Sequence, residues 1–441
     1  VLTTGRPLRV ALISYRSKPH CGGQGIYVRH LSRELAALGH HVEVFSGQPY
    51  PELEPGPLLR TVPSLDLYRE PDPFRWPRPS EFRDWIDVLE FAAMRSGSFP
   101  EPLTFSLRAL RVLRARRGDF DLVHDNQVLG YGLLGLAKAG LPLVTSIHHP
   151  ISVDRRIELA AARGLPRLSL SRLSKRRWYS FVRMQARVAR RCGPILTSSQ
   201  SSRADICRDF RVRPADVRVI PLGVDTRLFH PRSSRVPGRV VAVASADSPV
   251  KGVGTLLRAF GKLVAEREAQ LIVVGKPAPG GPTERLAADL ALGGQVRFVH
   301  GISDTEIAEL MASAEIAVVP SLYEGFSLPA VEQMASGTPL VASRTGALPE
   351  VTGDTALLVE PGDAEELATA LRDLLDSPAE RARLSAAAWQ RVQERFAWPA
   401  VARATVAEYE LAIAAAPLRP GGQAGRAPAG FRARPEGAGE C

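Results

Sequence analysis

Glu324 and Glu332 flank the run G-F-S-L-P-A-V, where the chain reads as a strand passing into a helix. The apolar stretch Ile316-Ala317-Val318-Val319 predicts a buried strand, and Pro329 suits the first turn of the helix that follows. Glu324 then falls in the connecting loop and Glu332 about one turn inside the helix. The backbone N–H groups around Gly325, Phe326, Ser327 and Leu328 point outward at the positive end of the helix dipole, where an anion is stabilised. Carboxylates accept hydrogen bonds from sugar hydroxyls, so this pattern fits a phosphate flanked by hydroxyl-bearing groups, as in a nucleotide sugar. Spacing alone leaves open a plainer reading, with Glu324 a helix cap and Glu332 a solvated helix residue.

Three further groups bear on that chemistry. Lys251, in S-P-V-K-G-V-G, is expected at the start of a helix, a poor position for a cation unless an anion shares the site. Gly22 and Gly23 allow close approach of the backbone to a ligand. Against the dinucleotide fingerprint, however, that loop has Val28 in place of the third glycine, which disfavours a nicotinamide or flavin site. His148 and His149 end the run V-T-S-I-H-H, and without a nearby acidic or cysteine cluster they suit substrate contact better than metal binding. The match D-x-D at Asp119 and Asp121 is too short to count as a metal motif.

These groups need a scaffold, and short Val/Ile/Leu runs alternating with amphipathic stretches supply one. The first series is Leu8–Ser14, Leu143–Ile147, Ile195–Thr197 and Val217–Ile220. The second is Val240–Ala244, Leu271–Val274, Val296–Val299, Ile316–Val319 and Leu340–Ala342. The alternation predicts an α/β protein of two doubly wound parallel-sheet domains, and 441 residues suffice for two cores. The expected division is 1–217, with a proline-rich, aromatic insertion at about 50–107, then 218–395, a C-terminal helix at 396–416 packing back on the first domain, and a Gly/Ala/Pro/Arg tail at 417–441 expected to be disordered. Four scattered cysteines without a C-x-x-C pair argue against a zinc site or disulfide framework and set a reducing, cytoplasmic expectation. No segment approaches the length of a membrane-spanning apolar helix. The net charge of +11 favours anionic partners in general, and no recognised nucleic-acid module accompanies it.

Taken together, G-G at 22–23, V-T-S-I-H-H, V-I-P-L-G-V-D at 219–225, P-V-K-G at 249–252 and above all E-G-F-S-L-P-A-V-E resemble the retaining nucleotide-sugar glycosyltransferases of the GT-B fold, in particular glycosyltransferase family 4. The resemblance covers the chain to about residue 410. It implies that Glu332 binds the nucleotide ribose and Glu324 a hydroxyl of the donor sugar. It further implies that Phe326, Ser327 and Leu328 offer amides to sugar and diphosphate, that Lys251 neutralises the leaving diphosphate, that Gly22 and Gly23 close on the phosphate, and that His148 lies near the transferred sugar. Such enzymes resemble one another in needing no metal or other cofactor. The chain departs from the pattern at Ser245 and Ala246, where many members have an arginine facing the diphosphate; Lys276 and Arg344 are the candidates to replace it. Leu222 and Ala347 are lesser departures. A binding protein that kept the donor pocket but lost transfer is the competing reading.

The resemblance leaves the acceptor open among lipid, glycan and small molecule. Residues 163–191 hold Arg163, Arg167, Arg172, Lys175, Arg176, Arg177, Arg183, Arg187, Arg190 and Arg191 without an acidic residue. With Trp178 and Tyr179 beside it, this basic face suits peripheral contact with an anionic membrane, or it is a solvated arginine face.

Overall fold

The computed structural model describes residues 6–17, 23–69, 71–153, 155–156, 174, 176–232 and 234–416. Gly22, Arg163, Arg167, Arg172, Lys175 and the tail 417–441 lie outside them.

Two parallel sheets organise the chain. The first comprises β1 (Arg9–Ser14), β2 (His41–Ser46), β3 (Leu58–Thr61), β4 (Leu122–Asn126), β5 (Leu143–Ser146), β6 (Ile195–Thr197) and β7 (Val217–Val219), in the order β3-β2-β1-β4-β5-β6-β7. The second comprises β8 (Arg239–Val243), β9 (Gln270–Val274), β10 (Val296–Val299), β11 (Ile316–Val319), β12 (Leu340–Ser343) and β13 (Ala356–Val359), in the order β10-β9-β8-β11-β12-β13. In both, the strand order reverses beside the first strand, leaving a crevice at the strands' C-terminal ends where ligands of doubly wound sheets bind.

Strand alternation divides each core in two. In β1, Val10 and Leu12 pack with Tyr27, Val28, Leu31 and Leu35 of the helix Gly23–Ala37, whereas Ala11 and Ile13 pack with Phe105, Ala109 and Leu113 of the helix Glu101–Ala115. In the second sheet Val241, Ile272, Ala317 and Val319 share a layer with Met311 and Met334, and Val240, Leu271 and Val318 share the other with Leu256, Phe260 and Leu371.

The C-terminal helix Trp398–Ala415 packs on the helix Gly23–Ala37 of the first domain. Trp398 is buried at the junction, stacked on His30, and a Cβ added at Gly223 would fall 2.4 Å from its ring. The glycine of V-I-P-L-G-V-D is thus required by close packing. Beside it, Val224 N–H donates to the Phe396 carbonyl at 2.8 Å, and Arg33 pairs with Asp225 at 2.9 Å.

Residues 50–107 hold β3, which extends the sheet beside β2, and the helix Trp85–Arg95, capped by Asp84. One local expectation is corrected. Trp178 and Tyr179 turn inward instead of lying with the arginines: Tyr179 is buried, and Trp178 packs against Phe99 and Tyr68. On the helix Phe181–Ala189, Phe181, Met184 and Val188 are buried while Arg183 and Arg187 are exposed. Arg187 donates to the Tyr131 hydroxyl and Arg190 to the Phe210 carbonyl. Asp121 accepts from the Arg9 backbone at 2.8 Å and Asp119 from the Arg116 side chain at 2.7 Å, which accounts structurally for the D-x-D match.

Candidate active site

β8 and β11 are neighbours at the point of strand reversal, so the loops that leave them meet. After β8 the chain makes the short 3-10 turn Pro249–Lys251 and then Gly252 at φ +66°. A Cβ on Gly252 would lie 1.9 Å from the Pro320 carbonyl oxygen, so only glycine lets the Lys251 turn press against the end of β11. Lys251 Nζ donates to Glu324 Oε1 at 2.8 Å, and Ser321 Oγ donates to the same oxygen at 2.7 Å. Glu324 is buried, and its Oε2 has no hydrogen-bond partner among the described residues. Gly346 closes the far side: it adopts φ +53°, and a Cβ there would fall 2.2 Å from the Glu324 carbonyl oxygen.

Ser327 precedes the helix Leu328–Ala335 with φ +82°, unusual for a side chain other than glycine. Its buried Oγ lacks a partner, and the amides of Phe326, Ser327 and Leu328 find no acceptor among the described residues. Phe326 packs into the core against Phe396, so its ring anchors the loop and its backbone faces the cleft. Glu332, half-buried and without a side-chain partner among the described residues, has its pKa pushed up to about 7, first by burial and then by Asp304. Asp304 in turn stands 3.6 Å from Arg29 of the first domain.

From the first domain, Gly23 opens the helix Gly23–Ala37, and a Cβ on it would meet Leu328 Cδ1 at 3.9 Å. The glycine loop and the E-G-F-S-L run therefore face each other. His148 follows β5, with Nε2 2.8 Å from Asn126 Oδ1. Asn126 spends its Nδ2 on Ser14 Oγ and the Gln24 carbonyl. Its Oδ1 is therefore the acceptor, and His148 carries the proton on Nε2. Burial, aided by His149, pulls the His148 pKa down to about 4, so its ring is neutral near pH 7. Gln127 holds the same loop by its side chain, accepting from His148 N–H at 2.9 Å and donating to the His149 carbonyl at 2.9 Å.

Serines tie the two loops across the cleft. The Gly325 carbonyl accepts from Ser199 Oγ at 2.7 Å and Ser202 Oγ at 3.0 Å, and the His148 carbonyl accepts from Ser198 Oγ at 3.1 Å. A Cβ on Gly325 would approach His149 Cβ to 3.1 Å. Glu350 of the second domain accepts from Gln200 N–H at 2.8 Å, at the start of the helix Gln200–Phe210.

The structure thus gathers Gly23, His148, Lys251, Glu324, Phe326, Ser327, Leu328 and Glu332 around one cleft. Ser245 lies exposed in the turn after β8, where its carbonyl accepts from Ser248 N–H. Of the two candidate replacement cations, Arg344 pairs with Glu360 at 3.3 Å and donates to the Leu358 carbonyl. Lys276 is exposed, without an ion-pair partner among the described residues, and follows Gly275, whose Cβ would lie 2.1 Å from the Ala244 carbonyl oxygen. Lys276 is therefore the one placed beside the Ser245 turn. Asn126, Gln127 and the serines at 198, 199 and 202 were not singled out from the sequence. The available signal was polar residues directly after buried strands, in D-N-Q and T-S-S-Q-S-S.

The chain is similar to known proteins over most of its length. Residues 21–228 match the model of Glycosyltransferase Family 4, and residues 227–391 match that of Glycosyl transferases group 1. The chain is 59% identical over 411 residues to an MMP alpha-(1->4)-mannosyltransferase of Mycolicibacterium hassiacum, covering 92% of this chain and 99% of that one. It is 30% identical to a glycogen synthase of Mycobacterium tuberculosis, over 91% of this chain and 94% of that one. Among solved structures, the sucrose-phosphate synthase of Thermosynechococcus elongatus superposes with a TM-score of 0.69 at 25% identity, covering 93% of this chain and all of that one. Two sheets meeting at a cleft, with this run of motifs along it, make the chain a GT-B glycosyltransferase belonging to glycosyltransferase family 4.

Proposed function

We propose that the protein transfers a hexosyl unit from a nucleoside diphosphate sugar to an acceptor hydroxyl, with retention at the anomeric carbon. Likeness to the Mycolicibacterium enzyme supports a mannosyl unit and an alpha-(1->4) linkage. The observation that carries the reading is the convergence of Lys251, the amides of Phe326, Ser327 and Leu328, and Glu332 at one helix N-terminus, the amides and Glu332 side chain lacking partners among the described residues.

In this reading the diphosphate lies between Lys251 and those amides, with Gly23 over it from the first domain. Ionised Glu332 accepts the ribose hydroxyls, and Glu324 Oε2 accepts a hydroxyl of the sugar. As the bond between the anomeric carbon and the phosphate oxygen breaks, the electron pair leaves with the diphosphate. Lys251 and the amides stabilise that charge more in the transition state than in the ground state. The acceptor hydroxyl attacks the face the diphosphate leaves, and its proton passes to the departing phosphate oxygen. No side-chain nucleophile is required, and neutral His148 is free to contact the sugar. A lysine and a helix N-terminus perform the charge neutralisation otherwise given by a divalent ion, so transfer is proposed to be metal-independent.

The non-catalytic reading rests on Ser245 and Ala246, and Lys276 beside that turn weighs against it. No helix of the described residues is long and apolar enough to cross a membrane. The exposed Arg176, Arg177, Arg183 and Arg191 supply the basic surface for a peripheral, anionic-membrane partner, tested by sedimentation with phosphatidylserine vesicles.

Thermal-shift measurement against UDP, GDP, ADP and their sugars, in chelator, tests donor binding; a ligand at 100 times its Kd stabilises by about 2.7 kcal/mol. A shift with one nucleotide family, lost in Glu332→Ala, is the expected result. NMR of the product's anomeric proton then reads retention. An inverted product, or transfer abolished by chelation, sinks the corresponding part of the mechanism.

A further inference from the structure

A buried line of polar groups runs beneath His148, outside the donor contacts. Tyr409, on the C-terminal helix, is 0% exposed, and its hydroxyl meets Nδ1 of His124 on β4. His124 Nε2 lies 2.7 Å from Ser146 Oγ at the end of β5. Ser146 Oγ lies 3.1 Å from the hydroxyl of Tyr27. The Tyr27 ring then stands edge-on to His148, with centroids 4.3 Å apart.

Strand geometry explains the alignment. Asn126 is paired in register with Ser146, and side chains two residues apart share a face, so His124 and Ser146 point together toward the helix Gly23–Ala37 that carries Tyr27. A core of this kind is ordinarily filled with apolar side chains, and a connected polar chain specifies orientation where apolar packing specifies only volume. His124 is neutral, its pKa held down to about 3 by burial first and His148 second. One of its nitrogens therefore donates and the other accepts, so the Tyr409 hydroxyl, His124 and the Ser146 hydroxyl form one coupled hydrogen-bonded chain that reaches the Tyr27 hydroxyl. His148 is thereby held on two sides, by Asn126 at Nε2 and by the Tyr27 ring.

We propose that Tyr27 is a positioning residue for His148, and that Tyr409 sets Tyr27 through His124 and Ser146, so that docking of the C-terminal helix on the first domain orients the histidine. The inference rests on the reading that His148 lies beside the transferred sugar.

The test uses the full chain with Tyr409→Phe and Tyr27→Phe, which keep the rings and remove only hydroxyls, and His148→Ala in parallel. Transfer kinetics and the 15N imidazole signals of His148 are measured. Expected are a kcat lower by about two- to thirtyfold with donor KM nearly unchanged, and His148 imidazole signals shifted or broadened relative to wild type while the Nε2–H tautomer held by Asn126 persists. Should Tyr409→Phe fail to fold, Tyr27→Phe carries the same test from the other end of the chain. Unchanged His148 signals with unchanged kcat, or a loss of melting temperature alone, overturns the proposal. Wild-type turnover in His148→Ala instead overturns the role of His148 in transfer, and the positioning role with it. Turnover lost in His148→Ala but intact in both tyrosine variants removes only the positioning role.

Discussion

Lys251 Nζ lies 2.8 Å from Glu324 Oε1, joining two residues seventy-three positions apart through the adjacency of β8 and β11. The pair holds the lysine at the mouth of the cleft before any diphosphate arrives. Ser321 donates to the same oxygen, which leaves Oε2 turned to other partners. One ion pair thus orients both the cation proposed to face the leaving group and the carboxylate proposed to bind the sugar.

Lys251→Ala is accordingly expected to lower kcat by about 100- to 1,000-fold while donor KM changes little, because the lost charge matters most as the leaving group departs. Steady-state kinetics decides it: a raised KM with wild-type kcat would make Lys251 a ground-state binding residue only.

Much of this cleft was legible in the chain. The Val/Ile/Leu runs marked nine of the strands, and E-G-F-S-L-P-A-V-E marked the loop that enters the helix Leu328–Ala335, because buried parallel strands and a helix N-terminus are locally encoded. β2, β3, β4 and β13 were missed. H-V-E-V-F-S alternates polar with apolar, and L-V-H-D-N carries buried polar groups that end in the site, so neither reads as a continuous apolar strand. The Lys251–Glu324 pair was also missed, since pairing across strands depends on sheet order, and spacing does not encode sheet order. Nor does spacing reveal that Ser198, Ser199 and Ser202 reach carbonyls of both loops.

Glu332 gives a pH dependence. Its folded pKa, about 7, lies above the ordinary glutamate value of 4.5, so between these values the folded state holds more protons than the unfolded state. This group is neutral to stability below about 4.5, and its contribution falls as pH rises to about 7 and stays low beyond. Melting temperatures from pH 5 to 8 should therefore decline less in Glu332→Gln than in wild type. Nucleotide affinity should run the opposite way, rising with pH through about 7, because ribose hydroxyls donate to the ionised carboxylate. Calorimetric titration showing pH-independent affinity in wild type would remove Glu332 from the ribose.

Lys276 and Arg344 make contrasting predictions. Lys276 stands beside the Ser245 turn without an ion-pair partner among the described residues, whereas Arg344 is engaged by Glu360 and the Leu358 carbonyl. Lys276→Ala should lower kcat/KM for the donor about tenfold or more, the worth of one charge-assisted contact, and Arg344→Ala should leave it near wild type. The reverse order would assign the missing diphosphate cation to Arg344.

Ser327 separates stability from function. At φ +82° its backbone carries strain of about 1–3 kcal/mol, and its buried Oγ has no partner, which adds desolvation cost of about the same size. Glycine relieves both terms but returns about 0.5–1 kcal/mol through the freedom it gives the unfolded chain. Ser327→Gly should therefore raise the melting temperature of the ligand-free protein, by about 2–4 °C per kcal/mol gained in a domain of this size. If the hydroxyl is held unpaired in order to meet the donor, the same variant should bind nucleotide sugar more weakly, with a KM several times higher and a smaller ligand-induced thermal shift. Higher stability with unchanged donor affinity would show that the strain serves only to turn the chain into the helix. Lower stability would mean that Ser327 makes contacts in solution that offset its backbone conformation.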